Sequence, residues 1–106
     1  MVFIETPAFT QDVRELLSEE SYANFQLYLG IQPEVGDVIE NTGGLRKVRW
    51  KSEGRGKRGG VRVIYFYVTA ASQVRLLLIY RKGVQDTLSA REKSILRAIN
   101  KHWPNT

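Results

Sequence analysis

The chain contains no cysteine and only one histidine, His102, close to its end. Without cysteine it can form no disulfide, no thiolate metal site and no cysteine nucleophile. A single histidine leaves zinc chemistry and Ser-His-Asp catalysis almost without ligands or a base, so we expect His102 to be structural. Any chemistry must therefore come from other side chains.

Long apolar runs are also absent, since no stretch approaches the roughly 18 apolar residues of a membrane-spanning helix. Residues 1–10 carry Glu5 and lack a basic segment followed by an apolar one, so no signal peptide is predicted. We expect a cytoplasmic protein with no membrane partner. Its 106 residues, 42% of them hydrophobic, are typical of one domain spanning residues 1–106.

Basic side chains are scarce in the first part of the chain and dense in the second. Residues 1–40 hold eight acidic residues and one basic residue, whereas residues 41–106 hold fifteen basic and three acidic residues. This asymmetry predicts a surface that binds a polyanion with salt-dependent affinity. The alternative is a solvated basic face that merely keeps the protein soluble.

The first half of the chain is predicted to form a strand and two helices. Residues Val2–Glu5 form an apolar run, and Thr10 is predicted to cap the helix that follows. Apolar residues at intervals of three and four predict both helices, the second ending near Gly30, before a loop from Gln32 to Gly44. The apolar positions are Val13, Leu16 and Leu17 in the first helix and Tyr22, Phe25 and Leu29 in the second.

The second half is predicted to form three strands and a helix. The runs Leu45–Lys51, Val61–Val68 and Val74–Lys82 are rich in β-formers, and their short connections favour an antiparallel meander. Ser89 and Glu92 have the spacing of a capping box for a final helix. Its apolar stripe, expected in the core, is Ile95, Leu96, Ile99 and Trp103, while Arg75 and Arg97 are expected at the surface.

These elements predict an α+β fold in the order β-α-α-β-β-β-α. Two N-terminal helices and one C-terminal helix would pack on an antiparallel sheet.

The densest basic segment runs from Arg46 to Arg62 and holds eight of the sixteen cations, with Glu53 as its one acid. Alternation along a strand would place Lys47, Arg49 and Lys51 on one side and Val48 and Trp50 on the other. Alternate residues are about 6–7 Å apart in a strand, which suits the phosphates of a single RNA strand better than a membrane.

A glycine-rich connection follows this strand. Glycines let a backbone approach a ligand closely and expose its amides, and the interleaved cations add charge. The segment lacks the Gly-Lys-Ser/Thr ending of a Walker A loop. The alternative is a mobile hairpin tip kept soluble by charge. The glycines are Gly54, Gly56, Gly59 and Gly60, and the cations are Arg55, Lys57 and Arg58.

Such a surface has the groups that histidine-free RNA cleavage needs, because RNA supplies its own 2′-hydroxyl nucleophile. Arginine can stabilise charge on the phosphate, and lysine can accept the proton if neighbouring cations lower its pKa. Tyr80 and Lys82 share a side of the last strand, where Tyr80 either stacks a base or packs. The same residues are equally compatible with binding alone.

Three stretches, Gly36–Ile39, Thr42–Arg49 and Gly54–Tyr65, together resemble the HigB branch of the RelE/ParE toxin superfamily. The resemblance implies the toxin of a type II toxin–antitoxin system, a metal-independent endoribonuclease (mRNA interferase) without cofactors. It would cut mRNA in the A site of the 70S ribosome and so inhibit translation. A cognate HigA-like antitoxin, with a helix-turn-helix domain, would neutralise it.

The resemblance also implies roles for individual residues. Lys47 and Arg49 match a basic pair, Arg62 matches an arginine that holds the scissile phosphate, and Lys47 or Lys57 would transfer the proton. Tyr80 and Lys82 match positions at and after the end of the last strand. Residues expected to contact RNA or the ribosome are Arg46, Lys51, Arg55 and Arg58. The chain lacks the glutamate that relatives carry after Lys82, and RelE's late catalytic tyrosine has no counterpart.

The residues are also compatible with two other functions. One is a ParE-like toxin that poisons DNA gyrase, which the dense phosphate-binding set argues against, since a protein target does not require it. The other is a catalytically inactive, RNA-binding relative.

Overall fold

The computed structural model describes residues 1–51, 60–83 and 87–103. Its elements are β1 (Val2–Glu5), α1 (Pro7–Leu16), α2 (Glu19–Ile31), β2 (Asp37–Val38), β3 (Arg46–Trp50), β4 (Val61–Val68), β5 (Gln73–Arg81) and α3 (Ala90–Lys101). The sheet order is β1-β5-β4-β3-β2, with β1 parallel to β5 and the other pairs antiparallel. None of the helices in this part of the chain is long and apolar enough to cross a bilayer.

The α+β class and the β3-β4-β5 meander are confirmed, but the sheet departs from the prediction in two places. Strand β2 lies within the segment predicted as a loop, where Asp37 pairs with Lys47 and Val38 with Arg46. Two residues are too few to show a period of two, so only the pairing with β3 reveals this strand. The parallel β1–β5 pair likewise depends on a long crossover that local patterns do not report.

Helix α1 begins one turn earlier than predicted, so the assignment of Thr10 as its cap was wrong. The cap is Thr6, whose hydroxyl accepts from the Phe9 amide (3.1 Å) and donates to the Leu77 carbonyl (2.8 Å). Pro7 favours this start because its fixed φ suits the first helical position. Thr10 lies inside the helix and donates to the Glu5 carboxylate.

Two cores form, one on each face of the sheet. Helices α1 and α2 cover the larger first core, and α3 covers the smaller second core. The first contains Phe9, Val13, Leu17, Phe25, Leu29, Val48, Val61, Val63, Tyr65, Val74, Leu76 and Ile79. The second contains Leu45, Ile64, Leu77, Tyr80, Leu88 and Leu96. Each buried side chain of this size contributes about 1.5–3 kcal/mol, so the first core supplies most of the apolar stabilisation.

Helix α3 has the predicted capping box between Ser89 and Glu92, but it buries less of its apolar stripe than expected. Leu96 is buried, whereas Ile95 and Ile99 are 49% and 42% exposed. A helix that packs on a sheet from one side only buries a narrow stripe, and the flanking positions stay open to solvent.

Arg75, predicted at the surface, is instead partly buried between the sheet and α3. Its guanidinium lies over the rings of Phe66 (5.7 Å) and Trp103 (5.3 Å) and donates to the Asn100 carbonyl and side chain. Burial lowers the pKa of this arginine. Two aromatic faces and the carbonyl end of α3 compensate for the desolvated charge.

A β-bulge in β5 sets which side Tyr80 faces. Ile64 pairs with Leu78 but Tyr65 pairs with Leu76, so Leu77 is an extra residue on β5. Strict alternation from Leu76, which lies in the first core, would place Tyr80, four residues further, in that same core. The bulge reverses the alternation, and Tyr80 lies in the second core.

The buried hydroxyl of Tyr65 fixes the turn that leads into β2. It donates to the Pro33 carbonyl (2.8 Å) and accepts from the Gly36 amide (2.9 Å), and burial raises its pKa. Replacing Tyr65 by phenylalanine leaves both backbone groups without this partner, so we expect the free energy of unfolding to fall by about 1–3 kcal/mol in urea titrations.

Tyr67→Phe is the matched control for this change. The Tyr67 ring is half-buried and its hydroxyl forms no hydrogen bond within the described residues, so we expect a change of about 0.5 kcal/mol or less. Equal losses for the two variants would show that the Tyr65 hydroxyl adds nothing specific.

Candidate nucleic-acid interface

The orientation of β3 is fixed by its apolar residues. The Trp50 ring packs on Phe25 and Tyr28, with centroids 5.4 Å from each, and its Nε1 donates to Ser21 Oγ (3.1 Å). Val48 is buried in the same core. Because side chains alternate along a strand, the intervening positions of β3 project from the opposite face of the sheet. The predicted alternation is confirmed from Lys47 to Trp50, whereas Lys51 lies just beyond the end of the strand.

Strand pairing brings three cations together on that opposite face. Arg49 is directly opposite Arg62, Arg62 is directly opposite Tyr80, and Lys47 is opposite Ile64 in the next row. Directly opposed residues have Cβ atoms about 4.5–5.5 Å apart and share a face. We call Lys47, Arg49 and Arg62 the basic row.

The charges of the basic row favour an anionic ligand. Like charges directly opposite each other destabilise a sheet, and an anion held between them offsets that cost. Arg49 is exposed and Arg62 is half-buried, with its Nη1 3.4 Å from the Val61 carbonyl oxygen. A guanidinium presents a planar fork of donors that matches the oxygens of a phosphate. The row can therefore hold a phosphodiester from two sides.

A carboxylate that the sequence reasoning did not single out lies beside the row. Asp37 of β2 is directly opposite Lys47 and is exposed. Among the described residues that pair across the sheet with Lys47 or Arg62, Asp37 is the one acid. Its carboxylate places a hydrogen-bond acceptor next to Lys47. Its position depends on the strand β2, which is too short, at two residues, to show a periodic pattern.

Tyr80 and Lys82, at and just after the end of β5, differ in their exposure to solvent. Tyr80 is next to Arg62 but only 9% exposed, so its ring packs in the second core rather than presenting a face to solvent. Lys82 is exposed, and its amide donates to the Gly60 carbonyl (3.1 Å). That bond holds Lys82 beside Gly60, which is two residues before Arg62 in the chain.

Of the predicted RNA contacts, Lys51 follows β3 and is exposed, whereas Arg46 is not brought to the basic row. Arg46 projects from the other face and donates to the carbonyls of Glu34 (3.0 Å) and Gly36 (2.7 Å). It also forms an ion pair with the Glu34 carboxylate (3.7 Å). Arg46 therefore stabilises the turn before β2.

The remaining predicted positions, Arg55, Lys57 and Arg58, lie outside the described residues and stay predictions. Within the described residues, no three metal-ligating side chains come together at a common point.

Comparison with known proteins bears on the fold. No protein-family model matches the chain. The crystal structure of the intact E. coli RelBE toxin–antitoxin complex contains a chain of similar structure, with a TM-score of 0.58 and 13% sequence identity. The match covers 76% of this chain and 94% of that one. The three helices and the five-stranded, mostly antiparallel sheet therefore form a RelE-like α+β fold.

Proposed function

We propose that the chain is the toxin of a type II toxin–antitoxin system and cleaves mRNA in the ribosomal A site, in the cytoplasm and without a metal. The observation that carries this proposal is the opposition of Arg49 and Arg62, with Lys47 in the next row, on one face of a RelE-like sheet. The HigB-like sequence stretches and the structural likeness to a toxin–antitoxin complex support it.

The chemistry uses the nucleophile that RNA carries. The 2′-oxygen attacks the adjacent phosphorus, the bond to the 5′-oxygen breaks, and the 5′-oxygen takes a proton from water, leaving a 2′,3′-cyclic phosphate and a 5′-hydroxyl. Arg49 and Arg62 stabilise the charge that develops on the non-bridging oxygens. Lys47 or Lys57 accepts the 2′-hydroxyl proton, and Lys82 adds positive charge beside Arg62.

This activity requires partners. The substrate is mRNA held by the 70S ribosome, which exposes a single-stranded codon in its A site. An enzyme that cuts the mRNA of its own cell requires a neutralising protein, and we assign that role to a cognate HigA-like antitoxin with a helix-turn-helix domain. The structural neighbour is itself a toxin–antitoxin complex.

Induced expression in a bacterium tests the proposal. We expect rapid arrest of translation, with mRNAs cut inside translated codons as mapped by sequencing of RNA ends. Arg14→Ala, an exposed substitution on α1, should leave this arrest intact. DNA damage with translation initially intact would instead indicate a gyrase poison, and neither effect would indicate an inactive RNA-binding relative.

A further inference from the structure

A positively charged cleft, separate from the basic row, lies between the loop that precedes β3 and the first turns of α3. Its volume is about 220 Å³, and its lining residues are Asn41, Ala90, Lys93, Ser94 and Arg97. Lys93 and Arg97 are four residues apart and therefore share one side of the helix. Because α3 packs on the face of the sheet that carries the basic row, the cleft and the row lie on the same side of the molecule.

The loop wall of the cleft contains a buried, hydrogen-bonded threonine followed by two glycines. Thr42 is 1% exposed, and its hydroxyl accepts from the Leu45 amide (3.2 Å). Gly43 and Gly44 follow with φ of 75° and 102°, a conformation that favours glycine. A Cβ built on Gly43 would lie 3.6–4.0 Å from the Arg97 side chain, so the stem of Arg97 runs along this backbone.

The positive charge of the cleft comes from side chains that form no ion pair with an acid among the described residues. Across residues 1–51, 60–83 and 87–103 the single ion pair joins Arg46 to Glu34, so no carboxylate there pairs with Lys93 or Arg97. At the start of α3 the Ser89 hydroxyl accepts from the Glu92 amide and the Glu92 side chain accepts from the Ser89 amide, so the capping box occupies these two amides. Two cations with the Asn41 amide across from them suit the oxygens of a phosphate.

We propose that this cleft is a second phosphodiester-binding subsite for RNA, with Lys93 and Arg97 as its contacts. The proposal rests on the proposed function for its ligand. Leu45 joins the loop to β3, and Lys47 is only two residues further, a rise of about 6–7 Å. Gly43, which lies against the Arg97 side chain, is four residues from Lys47, a span of at most about 14 Å, so both sites are within reach of one RNA strand. The phosphodiester can belong to mRNA or to ribosomal RNA.

The test compares two double variants that each remove two cations. Lys93→Ala with Arg97→Ala removes the subsite, and Arg14→Ala with Arg91→Ala removes two exposed cations outside the cleft lining. The affinity of each folded protein for a labelled single-stranded RNA is measured by fluorescence anisotropy over a series of salt concentrations. Lys93→Gln with Arg97→Gln provides a second subsite variant should the alanine pair fail to fold.

Loss of two phosphate contacts should lower the salt slope by about 1.4 and the affinity at 0.1 M salt roughly 10–30-fold. The control pair should change affinity by about twofold or less. A second arm measures binding to 70S ribosomes that carry no mRNA. A selective loss with the oligonucleotide identifies mRNA as the source of the phosphodiester, and a selective loss with empty ribosomes identifies ribosomal RNA.

The subsite is refuted if the two double variants show the same affinity and the same salt slope, both for the oligonucleotide and for empty ribosomes. Its failure is distinct from failure of the proposed function. A protein that loses RNA affinity through Lys93 and Arg97 but leaves mRNA intact has the subsite without the enzyme. If the parent protein cuts mRNA but the double variant of Lys93 and Arg97 binds both RNA sources as tightly as the parent, the proposed activity stands and the subsite does not.

Discussion

Replacing Arg62 by alanine should lower the rate of mRNA cleavage on programmed ribosomes by about 10²-fold or more, the usual effect of removing a donor to transition-state charge. Arg62 lies on the middle strand of three, with Arg49 directly opposite on β3 and Tyr80 directly opposite on β5. No other described cation has this position, so none can replace the phosphate contact that we propose for Arg62.

Two comparisons separate this effect from a loss of structure. Arg62→Lys keeps one charge but not the planar fork, and we expect a rate between those of the parent and the alanine variant. Arg91→Ala removes an exposed arginine from α3 and should cut at the parental rate. A folded Arg62→Ala protein that cleaves as fast as the parent would refute the assignment of Arg62.

The largest expected loss of stability follows from Gly60→Ala. Gly60 has a φ of 61°, and a Cβ there would lie 2.1 Å from the Trp50 carbonyl oxygen and 2.8 Å from the Lys51 Cα. Both are backbone atoms, so β3 must move away from β4 where Arg49 and Arg62 are opposed. We expect the free energy of unfolding in urea to fall by about 3 kcal/mol or more, and cleavage to fall with it.

Gly83→Ala provides the matched control, because Gly83 also has a positive φ, 91°, but a Cβ there would meet nothing within 4 Å. This variant should lose only the cost of a left-handed conformation, about 1–2 kcal/mol. If the two variants were equally stable, the close approach of β3 to Gly60 would not constrain the strand pair.

Local patterns were sufficient for most of the scaffold and for the side of β3 that carries charge. Val48 and Trp50 are the apolar members of an alternating run, and burying them leaves Lys47 and Arg49 on the opposite face whatever the rest of the chain does. The bounds of β1 and β4 follow in the same way, because each is an apolar run that ends at a change in composition.

Features that depend on distant residues could not be predicted. Alternation places Arg46 on the face of Val48 and Trp50, but its bonds there to the carbonyls of Glu34 and Gly36 depend on residues twelve and ten positions away. The bulge at Leu77, which directs Tyr80 to the side of Arg62, exists only in the pairing of β4 with β5. The cleft of Lys93 and Arg97 likewise needs a loop and a helix that are about 50 residues apart in the chain.

Cleavage of a defined mRNA on purified 70S ribosomes tests the central claim most directly. The purified protein is added to ribosomes stalled with a known codon in the A site, and the RNA ends are mapped. We expect a cut within that codon, ending in a 2′,3′-cyclic phosphate on one fragment and a 5′-hydroxyl on the other. Intact mRNA after prolonged incubation with folded protein in low salt would contradict the claim.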